Sequence, residues 1–111
     1  MSPYSIMTQT MQPYPPGLPQ SFIDFEYPGY WAAVDWTMKL YVNGAQVREF
    51  SFKNPDKFSI PVPPGEVKLR AKLSFRSDSI KFNVQPGMRY QVFLTYNRFW
   101  GSISLHLRKN G

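Results

Sequence analysis

From Met38 onward the chain alternates apolar and polar residues in short runs, and turn residues separate the runs. Met38-Lys39-Leu40-Tyr41-Val42 repeats with a period of two, as a half-buried strand does. Asn43-Gly44 follows it, a dipeptide suited to a type I′ hairpin because both central residues must take positive φ. Residues 47–52 read as the return strand, Asn54-Pro55-Asp56 as a turn, and residues 58–62 as a short strand. Pro61 within that strand implies an edge or a bulge, since proline has no N–H to donate to a ladder. Pro63-Pro64-Gly65 then reverses the chain.

The clearest alternation comes next. Val67, Leu69, Ala71, Leu73 and Phe75 interleave with Lys68, Arg70, Lys72, Ser74 and Arg76, which predicts one apolar and one basic face. Arg76-Ser77-Asp78 reads as a turn, and Ile80, Phe82 and Val84 resume the alternation. Gln85-Pro86-Gly87-Met88 fits a β-turn with Pro second and Gly third, where φ is positive. Residues 90–96 are apolar on both faces apart from Gln91 and Thr95, so they belong in the middle of a sheet. After a connection at residues 97–101, Ile103, Leu105 and Leu107 face the core from a last strand. No segment carries a helical stripe. The expected fold class is all-β, a sandwich or small barrel of about seven antiparallel strands.

The first third differs. Residues 1–20 are rich in Pro, Tyr and Gln and read as a flexible tail. Residues 12–19 favour polyproline II. Their Pro13/Pro16 and Pro16/Pro19 spacings would also suit a docking peptide for an aromatic groove. Phe22, Ile23, Phe25 and Tyr27 are too apolar to stay in water, so residues 21–37 are expected to pack on the body, the first part as an edge strand. Residues 28–37 fit either a helical turn or the lead-in to a strand. The domain proper is then residues 38–111.

The order Tyr41-Val42-Asn43-Gly44, then Phe58-Ser59-Ile60-Pro61-Val62-Pro63-Pro64-Gly65, then Phe82-Asn83-Val84-Gln85-Pro86-Gly87-Met88-Arg89-Tyr90 resembles the PEGA-type domains and bacterial domains related to them. The likeness spans residues 38–107. It implies a small antiparallel β-sandwich (prealbumin/Ig-like) of the prealbumin or carboxypeptidase-regulatory kind, serving as a non-catalytic surface or accessory module. The lipid-accepting Cys of the lipoprotein-like members is missing here.

Charge divides the chain in the same place as composition. Residues 1–38 hold Asp24, Glu26 and Asp35 and no basic residue, for a net −3. Residues 39–111 hold thirteen basic and four acidic residues, for a net +9. Two groups of residues stand out as binding candidates. Lys68, Arg70 and Lys72 project on one strand face about 7 Å apart, with Arg76 and Lys81 able to join them across the next hairpin. That row suits an anionic partner such as nucleic acid, acidic polysaccharide or anionic lipid, or is simply a solvated strand face. Tyr96, Arg98, Phe99 and Trp100 form an aromatic loop that could stack on a base or sugar, or fold over the sandwich with Trp100 as its plug. Asp24 and Glu26 share a strand face, and the expectation is that they meet the basic face of the body.

Catalytic chemistry has little to stand on. There is no Cys and one His, and none of the ten Ser lies in a Gly-x-Ser-x-Gly elbow. His106 alternates away from the core and is expected to be exposed. No catalytic residue, metal ligand or cofactor is therefore assigned. The leading expectation is a non-enzymatic module that contacts other proteins. The alternative is a binder of anionic polymers or membrane surfaces. With no leader, lipobox or membrane-spanning run, a cytoplasmic location is expected.

Overall fold

The structure is a computed structural model that describes residues 19–108 except residue 33. All but the last residue of the polyproline reading, Pro19, lies outside the described residues. Eight strands follow one another: β1 (Ser21–Tyr27), β2 (Thr37–Val42), β3 (Ala45–Ser51), β4 (Asp56–Val62), β5 (Gly65–Leu73), β6 (Arg76–Val84), β7 (Arg89–Asn97) and β8 (Ser102–Arg108). They form two four-stranded sheets, ordered β4-β1-β7-β8 and β3-β2-β5-β6. No helix occurs among the described residues, and those between β1 and β2 are irregular. The all-β sandwich is as the alternation implied.

The inner faces come directly from period-two patterning. Val67, Leu69, Ala71 and Leu73 of β5 are buried, as are Met38, Leu40 and Val42 of β2 beside them. Facing them are Ile23, Phe25 and Tyr27 of β1 and Val92 and Leu94 of β7. Side chains of two such inner faces interdigitate into a single core. The two buried tyrosines each satisfy their hydroxyl. Tyr27 Oη donates to the Phe52 carbonyl at 2.5 Å, and Tyr90 Oη accepts from the Gln85 amide at 2.8 Å.

Three local expectations are corrected. β1 is not an edge strand: it pairs antiparallel with β4 and parallel with β7. Every second residue of β1 is buried, and a strand that contributes that much core is more stable with a neighbour on each side. β1 is therefore an interior strand of its sheet. The turn after β5 falls at Ser74-Phe75 instead of Arg76-Ser77-Asp78, because Leu73 pairs with Arg76 across the hairpin. Phe75 consequently sits exposed at the tip, with Ser74 at φ +56. Leu107, placed in the core by alternation, is exposed near the end of edge strand β8.

Edges are managed by position and by side chains. β4 is an outer strand and carries Pro61, as its missing N–H required. On the opposite side β6 approaches β8 across the sandwich, and Asp78 Oδ2 accepts the Leu105 amide at 2.8 Å. The Asn43-Gly44 turn has φ +51 and +87 and docks on β5 through paired 2.9 Å bonds between Asn43 and the Lys68 backbone. Replacing Tyr27 by Phe leaves the Phe52 carbonyl without its partner and is expected to cost about 1 kcal/mol. A urea-denaturation midpoint indistinguishable from wild type would refute that assignment.

Candidate functional site: a cationic sheet face

The outer face of the β3-β2-β5-β6 sheet collects the basic residues. Lys68, Arg70 and Lys72 alternate out of β5, and the register sets their neighbours. Lys68 lies directly opposite Lys81 of β6, and Lys72 lies directly opposite Lys39 of β2. Arg70 sits between Tyr41 and Ser79 in the row between them. Tyr41, Gly44, Lys68, Arg70 and Lys72 line a shallow depression of about 200 Å³. Glu49 and Glu66 are the carboxylates carried by the same face. Glu49 accepts from Gln46 at 3.1 Å. Among the described residues none of these five cations is in an ion pair; the two ion pairs are Arg48–Asp56 and Arg89–Asp24.

The structure therefore brings together Lys68, Arg70, Lys72 and Lys81 and adds Lys39 and Tyr41. It separates Arg76 from them. Arg76 pairs with buried Leu73, so its side chain belongs to the other side of the sheet, stacked on Phe75 at 4.5 Å. Lys39 was visible as the polar residue between Met38 and Leu40. Its place opposite Lys72 depends on β2 lying beside β5, which local sequence does not encode.

The acidic strand does not reach this face. Asp24 lies on the outer side of the other sheet, where it accepts from Arg89 Nη2 and Nε at 2.8 and 2.9 Å and from Ser59 Oγ at 2.6 Å. The reason is again the position of β1, which fixes Asp24 between β4 and β7. The hydrogen-bonded Arg89 guanidinium holds the Asp24 carboxyl below the usual carboxylate value, and Ser59 adds to the effect. Asp35 is lowered too, chiefly by the Ser51 hydroxyl and by the Lys53 amide. Around Asp24 and Glu26, together with Lys57, Gln91, Phe93 and Arg108, runs an open groove of about 680 Å³.

His106 is exposed on this second sheet, stacked on Phe93 at 4.9 Å and 3.0 Å from Thr95 Oγ1. In the aromatic loop, Tyr96 turns inward against Tyr30 and Phe52, whereas Arg98, Phe99 and Trp100 are exposed. Trp100 is no plug; the Tyr30–Phe52–Tyr96 layer already closes that end. Among the described residues no three His, Asp or Glu side chains stand together as a metal site would need. No protein-family model matches the chain, and no curated protein matches it.

The lowered carboxyls make stability depend on acidity. Because Asp24 and Asp35 bind protons less readily folded than unfolded, their contribution is fully present above about pH 4 and is lost as the pH falls through their lowered values. Asp24→Asn and Asp35→Asn are each expected to flatten the acid limb of a stability–pH curve. Curves superimposable on wild type would show that neither carboxyl is linked to folding.

Proposed function

We propose that this chain is a non-enzymatic binding module that takes an anionic polymer or surface on the outer face of the β3-β2-β5-β6 sheet. The observation that carries this reading is the pair of like-charge contacts directly across strands, Lys68 with Lys81 and Lys39 with Lys72. Such a pair destabilises a sheet by about 0.5 kcal/mol; Lys39 also faces Glu49 of β3, so the Lys68–Lys81 pair is the less compensated of the two. Closely spaced phosphates, sulfates or carboxylates laid on the face would turn that repulsion into attraction and release their own counterions. Tyr41, set among the cations, offers a ring against which a base, a sugar or an aliphatic stretch can pack.

Two further points support the choice. Asp24 is engaged by Arg89 on the other sheet, and the carboxylates on this face, Glu49 opposite Lys39 and Glu66 near the start of β5, are outnumbered by its five cations. His106, stacked on Phe93 and 3.0 Å from the Thr95 hydroxyl, lies on the other sheet, apart from this face. The likeness to PEGA-type domains agrees with an accessory module. The protein-contact role expected from sequence is the reading that remains if polyanions do not bind.

Retention on a heparin column should persist to substantial salt for the wild type and collapse when Lys68, Arg70, Lys72 and Lys81 are all changed to Gln. Elution of both proteins together at the lowest salt would overturn the proposal. A second outcome separates charge from folding. Lys81→Gln removes one repulsive pair and is expected to raise stability by about 0.5 kcal/mol while weakening heparin retention. A loss of stability instead would mean that Lys81 supports the fold.

A further inference from the structure

A different surface of the molecule is built for another contact. Strands β1, β3, β5 and β7 all run toward one end of the sandwich, and β2, β4, β6 and β8 start from it. The 28–36, 52–55, 74–75 and 98–101 connections therefore lie together. Ring contacts join them: Tyr30 with Tyr96 at 4.7 Å, Phe52 with Tyr96 at 4.9 Å and Trp36 with Phe52 at 5.4 Å. The Arg76 guanidinium lies 2.9 Å from where a Cβ on Gly101 would stand, which ties the β5–β6 turn to the β7–β8 turn.

This end carries every exposed Trp and Phe among the described residues. Trp31 is 85% exposed, Phe99 81%, Trp100 80%, Phe75 79% and Trp36 51%. They include all three tryptophans of the chain. The opposite end is made of the Asn43-Gly44, Pro63-Pro64 and Pro86-Gly87 turns, where Met88 is the exposed large apolar side chain. Scattered apolar residues on a surface need no explanation, but a cluster confined to one end does. Closing the core is not the explanation, because Tyr30, Phe52 and Tyr96 form that layer beneath.

The rings are held out by built turns. Asn97 Oδ1 accepts the Phe99 amide at 2.9 Å and the Trp100 amide at 3.3 Å, and its carbonyl accepts the Gly101 amide at 2.8 Å. Ser74 takes φ +56 to place Phe75 at its tip, a conformation unfavourable for a residue with a Cβ. Cations stand beside the rings: Arg76 over Phe75 at 4.5 Å, Arg98 over Phe99 at 5.4 Å, and Lys53 in the neighbouring turn. Of the nearby carboxylates, Asp56 is ion-paired with Arg48, while Asp35 and Asp78 accept from the neutral Ser51 hydroxyl and Leu105 amide, so three cations face two carboxylates that have no ion pair.

We propose that this aromatic end docks into the interfacial layer of an anionic phospholipid bilayer. Trp and Phe would enter the boundary between headgroups and acyl chains, while Arg76, Arg98 and Lys53 meet lipid phosphates. A second copy of the chain fits the end poorly, because a two-fold contact would set these cations against their own images. The proposal rests on residues outside the cationic sheet face, so it and the polyanion reading fail separately.

Vesicle co-sedimentation with the full chain tests it, using phosphatidylcholine alone and phosphatidylcholine mixed with phosphatidylserine. The wild type is expected to bind the mixed vesicles, with a blue shift of its tryptophan emission. Phe99→Ala combined with Trp100→Ala should lower vesicle affinity about tenfold or more while leaving heparin retention and the denaturation midpoint unchanged. The four-Gln sheet-face variant should keep the blue shift. Three results would each overturn the proposal. One is no binding of wild type to either vesicle. Another is vesicle binding that survives the double substitution but is lost in the four-Gln variant. The last is self-association abolished by the double substitution with no lipid binding.

Discussion

Sheet β4-β1-β7-β8 is continuous only through β1, and most of what the molecule presents to solvent depends on that insertion. Ile23, Phe25 and Tyr27 fill the core between β4 and β7. The parallel pairing with β7 brings Phe22 alongside Arg89, and the Asp24–Arg89–Ser59 hydrogen bonds lie across β7, β1 and β4. Without β1, the aromatic side of β4 and the apolar side of β7 would be open edges. Long unpaired apolar edges invite pairing with other chains. The same insertion orients the loop that follows, since Tyr27 delivers Tyr30 to Tyr96 and Gly29 to the Lys53 carbonyl. At Gly29, with φ +82, a Cβ would stand 2.7 Å from that carbonyl oxygen.

By committing Asp24 to Arg89, β1 also leaves the other sheet's cations with Glu49 and Glu66 as the carboxylates on their face. The molecule is thus electrically divided in space as well as in sequence. One outer face mixes acids, bases and rings within hydrogen-bonding reach. The opposite face repeats lysine and arginine with few counter-charges. The contrast matters because exposed charges in water interact weakly one by one, whereas a row of like charges acts on an extended partner collectively.

The cationic face and the aromatic end are separate devices on one small scaffold. A flat strand surface offers regularly spaced charge, which suits a partner that is itself extended. Loop tips offer apolar rings in a few rigid turns, which suits a partner that accepts insertion. Lys39 and Lys72 belong to the ends of β2 and β5 nearest the aromatic loops, so the two devices meet at one rim of the sandwich.

Period-two alternation determined the strands themselves, because a strand half-buried in a sandwich must place every second side chain in the core. The turns at Asn43-Gly44 and Pro86-Gly87 were equally legible, since their backbone angles demand those residues locally. The outward projection of Lys68, Arg70, Lys72 and Lys81 followed from the same pattern. What alternation cannot encode is which strand lies beside which. Whether Lys39 opposes Lys72, whether Asp24 meets Arg89 and whether β1 is an edge are all settled by pairing between segments distant in the chain. A hairpin that turns two residues early moved Arg76 off the basic face and put Phe75 in water. The aromatic end was the least legible of all: its rings come from three separate loops, and only the common direction of β1, β3, β5 and β7 gathers them.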